Sequence, residues 1–509
     1  MNVEVLIVGA GPTGLVLALW LSRLGVRVRL IDRAREPGTT SRALAVQART
    51  LELYRQLDLA AQVVRAGHQV PALHMWVQGR AMTQLTLQQV GAALTPYPFA
   101  LIYPQDEHER LLIARLAAVG VTVERGLEFV SLTQDAQGVE AELRTAQGAV
   151  QRCRAAYLAG CDGARSPVRE CLGGGFAGGT YQQVFYVADI AGSGPCVNGD
   201  LHVDLDEADF LAVFPLAARE RVRLVGTVAG ELAARAGSFG FKDVSRRAIE
   251  QMHLQVQQVN WFSSYHVHHR VTERFRHGRV LLLGDAAHIH SPVGGQGMNT
   301  GIGDAINLAW KLAAVLRDCG PDTLLDSYDA ERRRFARTLV ATTDRIFTFV
   351  NASGRLARFV RTRVAPRVLA LAFRIAPLRR WFFRTVAQFR VHYRGEALSR
   401  GRAGRIRGGD RLPWVATAAA DNFAAPVLRW QVHVYGRASA QLRTWCADQS
   451  LPLREFAYEA AHRRAGFARD AVYLLRPDEY VALAAERDPL AALIAYFAQQ
   501  GLRQLRASA

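Results

Sequence analysis

Three short stretches hold most of the residues whose types and spacing could do chemistry. Near the start, Gly9-Ala10-Gly11-Pro12-Thr13-Gly14 follows the apolar run Val3 to Val8 directly. It leads into a helical pattern, Pro12 to Leu24, that stops at Gly25. The spacing predicts strand, tight turn and helix. In that frame Gly9 permits the turn, Gly11 lets a pyrophosphate approach the backbone, and Gly14 lets the helix pack close to the strand. The helix start at Pro12 and Thr13 offers free N–H groups and a favourable dipole. A second strand, Val26 to Ile31, ends at Asp32 with Arg33 behind it, where an acid accepts the ribose hydroxyls of an adenine dinucleotide. The chemistry is dinucleotide binding, with FAD and NAD both open.

The second stretch, "LAGCDGARSPVRE", puts Asp162-Gly163 straight after a strand, and alone it is only a turn. The third, "LLLGDAAHIHSPVGGQGMNTG", ends a strand at Gly284-Asp285, so Asp285 stands at the carboxyl edge of a sheet, where open α/β folds bind ligands. Gly294, Gly295 and Gly297 then leave the backbone bare, while Gln296, Met298 and Asn299 open a helix that runs to Leu312.

In this order the three stretches resemble the marks of the single-component FAD-dependent aromatic hydroxylases, the p-hydroxybenzoate hydroxylase family: a GxGxxG, a DG and a GD motif. The resemblance covers residues 1 to about 400, with "GDAAHIHSPVGGQGMNTGIGDAINLAWKLAAVL" and "LLDSYDAERR" as its densest matches. It implies an NAD(P)H-consuming monooxygenase that uses FAD and inserts one atom of O2 into an aromatic ring through a flavin C4a-hydroperoxide. Asp285 would hold the ribityl chain, Asp162 would belong to the cofactor site, and Arg42 and Gln105 would contact FAD. Pro292 would present its carbonyl at the flavin face where oxygen is activated. The helix start at Gly295 to Asn299 would stabilise the negative charge of reduced flavin. Arg42, Pro292 and Gly295 are thus the catalytic candidates, and no protein base is assigned. Other readings are a Baeyer–Villiger or epoxidising enzyme of the same fold, a flavin reductase or dehydrogenase, and a catalytically silent flavoprotein that binds a pathway intermediate.

His288 and His290 flank the glycine loop, and their near-neutral ordinary pKa would suit acid–base work, but packing is the plainer role. His266, His268 and His269 look like a metal cluster, yet no acid or cysteine at ligand spacing accompanies them, so no metal is expected. The C-terminal part resembles the thioredoxin-like extension of the longer phenol and polyketide hydroxylases. Cys446 is its one cysteine, which excludes dithiol chemistry. Glu479 stands where that family has Gly, and Leu483 where it has Trp.

The elements that must position these groups follow from the pattern. An α/β, Rossmann-like FAD-binding domain is expected over 1–180 and 271–400, its second part mostly helical. A mainly antiparallel sheet over 181–270 would be the inserted substrate domain, read from period-two segments such as "VFYVADI" and "FLAVFPL". A Gly/Arg linker at 401–411 would join a thioredoxin-like α/β module at 412–509. Phe185, Val187, Phe214, Pro215 and Pro292 are the candidate pocket residues. Few inward charges are expected among them, which favours a bulky phenol or polyketide-like aromatic over a small benzoate.

Composition bounds the rest. The 509 residues are 50% hydrophobic and 21% charged, as in a globular chain of several domains. No apolar run reaches the ~18 residues needed to span a bilayer, and the first residues, without a basic flank, are not expected to act as a signal peptide. The six cysteines show neither metal spacing nor a CxxC pair, so a reducing, cytoplasmic setting is expected. The formal charge of +18 rests almost wholly on Arg, since Lys242 and Lys311 are the only lysines. That skew points away from nucleic acid. Sixteen Arg against two acids between Arg355 and Arg411 leave two readings: packed helices with solvated Arg faces, or an interfacial helix near "APLRRWFFRTVAQF". The expected partners are an aromatic small molecule, O2, and NADH or NADPH, in a monomer or homodimer.

Overall fold

Four parallel strands organise the first part of the chain. In the computed structural model, Val3–Val8 lies between Val28–Asp32 and Val150–Gly160, and Val280–Leu282 joins beyond the latter. The structure describes residues 3–503 apart from 40–42, 78, 206–209, 218–219, 229–238, 245, 292–293, 352–353, 355–358 and 425–426. Val5 to Val8 are all buried, as a strand covered on both faces requires. Helix α1, Pro12–Arg23, is buried along its length from Gly14 to Leu21. A short helix α2, Ala48–Tyr54, is buried at every residue. Helix α3, Gly297–Leu316, packs against α1, and α4, Asp326–Asn351, follows it. Gly126, with φ +68°, separates two further strands, Val123–Arg125 and Leu127–Gln134.

The second sheet has eight strands, antiparallel except where Leu201–Leu205 pairs with Ala72–Val77. It extends past the expected 181–270 segment. Phe176–Ser193 and Gln255–Thr272 are both eighteen residues long. Ala72–Val77 and Arg80–Thr86 close one edge, and His288–Ile289 closes the other. Alternation divides its residues between two faces. Val184, Tyr186, Leu211 and Val213 bury one face against Ile249 and Met252. Phe185, Val187 and Phe214 alternate onto the other face. Pro215 follows Phe214 and so falls with Leu211 and Val213, away from the other pocket candidates.

In the C-terminal sheet the strands Val481–Ala485, Val472–Leu475, Gln431–Tyr435 and Leu453–Phe456 lie side by side. The last two are parallel and the others antiparallel, the arrangement of a thioredoxin-like module. The segment read as a linker is part of this sheet: Arg400–Ala403 pairs with Val481–Ala485, and Ala403 and Ile406 are core residues. Its glycines serve close approach, for a Cβ on Gly401 would run into the Ala484 carbonyl. Between α4 and this sheet lie helices α5, Ala365–Arg374, and α6, Ala376–Val386. Among the described residues no helix is long and apolar enough to cross a membrane. All six cysteines are free.

Candidate functional site

The three motifs converge because their strands are neighbours. Gly9 follows Val3–Val8, Asp162 follows Val150–Gly160, and Gly284 follows Val280–Leu282, all at the carboxyl edge of one parallel array. Gly9 has φ +103°, and a Cβ there would meet the Cys161 carbonyl; a Cβ on Gly14 would meet the Gly9 carbonyl. Both glycines are required by the protein's own packing. Gly11 differs, for a Cβ on it would meet nothing within 4 Å. Its bareness faces open space beside the N-terminus of α1, where a pyrophosphate fits. Thr13 Oγ1 lies where a Cβ on Gly301 or Gly284 would fall, so α1, α3 and the GD turn pack closely around that hydroxyl.

The carboxylates differ in state. Asp32 accepts from the amides of Ala10 (2.7 Å) and Ala34 (2.8 Å), which fixes the glycine turn and leaves lone pairs for a ribose. Arg33 beside it is exposed. Asp162 accepts from the Val168 amide at 3.0 Å through one oxygen, while the other is buried without a hydrogen-bond partner. Burial raises its carboxyl pKa. Asp285 lies deep among protein atoms, which pushes its carboxyl up, yet its surface is open to solvent. Its carboxylate is exposed at the carboxyl edge of the sheet. A bare Gly11, an unpartnered Asp162 oxygen and the exposed Asp285 together fit FAD.

The glycine loop is tied down by its own polar side chains. Asn299 donates to the carbonyls of Ala45 (2.8 Å) and Gly295 (3.0 Å) and accepts from the Gln47 amide (2.9 Å) and the Thr50 hydroxyl (2.8 Å). Gln296 donates to the carbonyls of Gly294 and Val386, both at 3.1 Å, and accepts from Gln388 at 2.6 Å. Met298 packs against the main core. The side chains of Gln296 and Asn299, expected at the cofactor, therefore shape the loop. The helix-start N–H groups from Gly297 onward remain as donors. Gly294 and Gly295 hold φ of +84° and +62°. Gln105 begins the helix Gln105–Ala118 and donates to Glu109 at 2.7 Å. Arg42 and Pro292 lie outside the described residues.

The sequence reading missed Asp304 and Arg332. Asp304 accepts from the Gly284 amide (3.0 Å), from His288 Nε2 (2.7 Å) and from Arg332 Nε (2.6 Å), so it pins the GD turn. The Arg332 guanidinium and His288 outweigh burial and hold its carboxyl below the usual range. The signal was present in "GDAINLAW", where an acid falls on the buried face of a helix. His290 donates from Nδ1 to the Ser291 carbonyl at 2.8 Å, and burial takes its pKa down to about 4, so it is neutral. His268 lies 2.7 Å from the Thr180 hydroxyl, and no His, Cys and acid cluster able to hold a metal occurs among the described residues.

Near the loop stands Phe214, which shares a face of the second sheet with Phe185 and Val187. Phe214 packs with Leu44 and Ala45, and a Cβ on Gly295 would lie 2.9 Å from the Ala45 Cβ. This face is less apolar than expected. Arg223, in register with Phe214 and Asp189, forms a two-point ion pair with Asp189 (2.6 and 2.8 Å) and is 3% exposed. Its guanidinium lies 5.5 Å from the Trp261 ring.

Comparison with known proteins agrees with this geometry. Residues 2–343 match the family model described as FAD binding domain. The chain is 33% identical to 6-methylpretetramide 4-monooxygenase of Streptomyces rimosus, over 97% of this chain and 92% of that protein. It is 30% identical to a flavin-dependent monooxygenase of Mycobacteroides abscessus, over 95% and 97%. The solved structure of OxyS anhydrotetracycline hydroxylase from Streptomyces rimosus superposes with a TM-score of 0.78 at 27% identity, covering 98% of this chain and 99% of that one. The chain belongs to the family of FAD-dependent aromatic hydroxylases and is an FAD-dependent monooxygenase.

Proposed function

We propose that this monooxygenase hydroxylates a bulky phenolic or polyketide-like aromatic with NAD(P)H and O2, in the secondary metabolism of a cytoplasm. The carrying observation is the placement of the three motifs at one sheet edge, with Phe214 of the second sheet packed into the Leu44 cluster beside the flavin loop. Bound FAD, reduced by NAD(P)H, supplies the activation of oxygen. Gly9, Gly11 and Gly14, with the start of α1 at Pro12 and Thr13, seat the pyrophosphate, and Asp32 takes the adenosine ribose. Asp162 and Asp285 hold the cofactor from the neighbouring strand ends. The amides at the start of α3 neutralise negative charge at the flavin edge without reorganisation. The sheet face excludes water from the ring that receives oxygen.

Arg223 deepens the argument about size. A free cation in the pocket would select a benzoate carboxylate, but Asp189 neutralises this one. Relatives named for 6-methylpretetramide and anhydrotetracycline favour the same reading. A nucleotide-binding domain, a substrate sheet that also takes in the strands at 72–86, a C-terminal module that begins near residue 400, a monomer or homodimer, and peripheral membrane contact through the Arg-rich helices belong to it as well. The test is NAD(P)H oxidation by the purified yellow protein with a panel of aromatics. Polycyclic phenols should accelerate it by about tenfold or more, equal to roughly 1.4 kcal/mol of barrier, with product mass raised by one oxygen. Equal stimulation by p-hydroxybenzoate would refute the substrate class. Hydrogen peroxide as the only product with every aromatic would refute the hydroxylation.

A further inference from the structure

Seven of the thirteen large apolar side chains that stand exposed among the described residues fall between Phe359 and Trp381. Val364, Val368 and Leu371 follow one another at intervals of four and three residues along α5 and the turn before it, Ile375 is extended between the helices, and Leu378 and Trp381 stand three apart on α6. The opposite sides of α5 and α6 are already satisfied: Phe373 and Phe383 pack with Leu85 and Leu87 at the edge of the second sheet. The stripe is thus a second apolar face, left over after folding. Its flanks carry one sign of charge. From Arg345 to Gly395 the sequence has twelve Arg and no Asp or Glu. Arg363, Arg367, Arg374 and Arg380 among them are exposed.

We infer that α5 and α6 form a docking surface for an anionic lipid bilayer, which gives the membrane-contact part of the proposed function its residues and its lipid class. An apolar stripe bordered by Arg lies in the headgroup region with its side chains among the acyl chains, while the guanidinium groups meet lipid phosphates. A second copy of the chain is the poorer occupant, since it would bring two acid-free Arg clusters together. The surface is also connected to the flavin loop. At the end of α6 the Val386 carbonyl accepts from Gln296, and Gln388 donates to Gln296 and Thr300. Docking therefore brings the edge of the substrate sheet and the flavin loop to the bilayer, where a polycyclic apolar substrate concentrates.

Flotation of the flavin-loaded enzyme with vesicles tests this. With phosphatidylglycerol–phosphatidylcholine vesicles the protein should float, and pure phosphatidylcholine should retain at least about tenfold less. Salt at about 0.5 M should weaken the binding by screening. Leu371→Ser with Leu378→Ser, and separately Arg367→Gln with Arg374→Gln, should each lose flotation while keeping flavin absorbance and NAD(P)H oxidation in solution. The parent's tryptophan emission should shift to the blue on binding, and Trp381→Phe should lack that shift. No flotation with anionic vesicles overturns the inference. So does a dimer, seen by light scattering, that Leu371→Ser dissolves. Turnover in vesicle-free solution reads the proposed reaction separately, so failure of either leaves the other testable.

Discussion

Arg476, in the turn after Val472–Leu475, meets Glu331 of α4 through hydrogen bonds of 2.6 and 3.0 Å, with both side chains fully buried. The same guanidinium donates to Asp478 at 2.9 Å, and Glu331 also accepts from Lys311 (2.8 Å) and Asn307 (2.7 Å) of α3. Two cations and two anions balance in the interior, and together they join the C-terminal sheet to the helix whose start is the flavin loop. Removing one member leaves an uncompensated buried charge. Arg476→Met should therefore cost about 3–5 kcal/mol in denaturant unfolding of the flavin-loaded protein. A loss within about 0.5 kcal/mol, the usual range for an indifferent site, would show that the network carries no stability.

The glycines of the first turn should separate fold from cofactor. Gly14→Ala places a Cβ against the Gly9 carbonyl and should sharply lower the yield of folded protein. Gly11 holds φ −75°, which alanine adopts freely, and its Cβ would meet no protein atom. Gly11→Ala should fold with the parental melting temperature in FAD-free form and bind FAD at least about tenfold more weakly, a loss of roughly 1.4 kcal/mol. Fluorescence titration and thermal melts read the two effects independently.

Asp285→Ala removes an exposed acceptor that, among the described residues, holds no side chain of the protein in place. A hydrogen bond to a charged group contributes about 1.5–3 kcal/mol, so FAD affinity should fall roughly ten- to a hundredfold, while the FAD-free protein melts as the parent does. Equal dissociation constants would contradict the assignment.

Acid should destabilise the fold from near neutrality. Burial lowers His108, His202 and His290 to about 4 from an ordinary 6.5. Between those values the unfolded chain binds protons that the folded one refuses, so stability is complete above 6.5 and is lost as pH falls toward 4. Below that, Glu331 continues the loss. Its carboxyl is held at about 2, so its contribution is complete above 4.5 and disappears as pH falls toward 2. Melting temperatures across pH 3 to 8 read this directly, and a flat profile between 6.5 and 4 would count against the buried histidines.

The motifs were legible because turn chemistry and periodicity act locally: Gly9, Gly14 and Asp32 are demanded by the two strands and helix beside them. The faces of the second sheet were less so. Phe214 and Pro215 are both apolar, and which of them faces the loop depends on register with Arg221–Val228, which no local pattern states. The side-chain partners of Asn299 were hidden for the same reason. Its partners at Ala45, Gln47 and Thr50 lie about 250 positions away in sequence. Glu479 appeared as a departure from a family glycine. The structure keeps that glycine's conformation, with φ +60°, and pairs the buried carboxylate with Arg55 and Arg49. A left-handed Glu costs about 1–2 kcal/mol, and burial outweighs Arg55 and Arg49 enough to push its carboxyl up.

Helix α2 has a bearing on how the protein matures. Its Thr50 and the preceding Gln47 hold Asn299 and the flavin loop, and its other side, at Arg49 and Glu52, is held by the Asp478 carbonyl and by Arg411. Segments near residues 50, 300, 411 and 478 must all be present before this arrangement closes. A ribosome making the chain has thus exposed every cofactor motif long before the site is braced, and contacts so distant in sequence form late. Chains released just after residue 400 should carry all three motifs and still hold FAD poorly, so capture of the cofactor marks the end of synthesis and not the completion of the third motif.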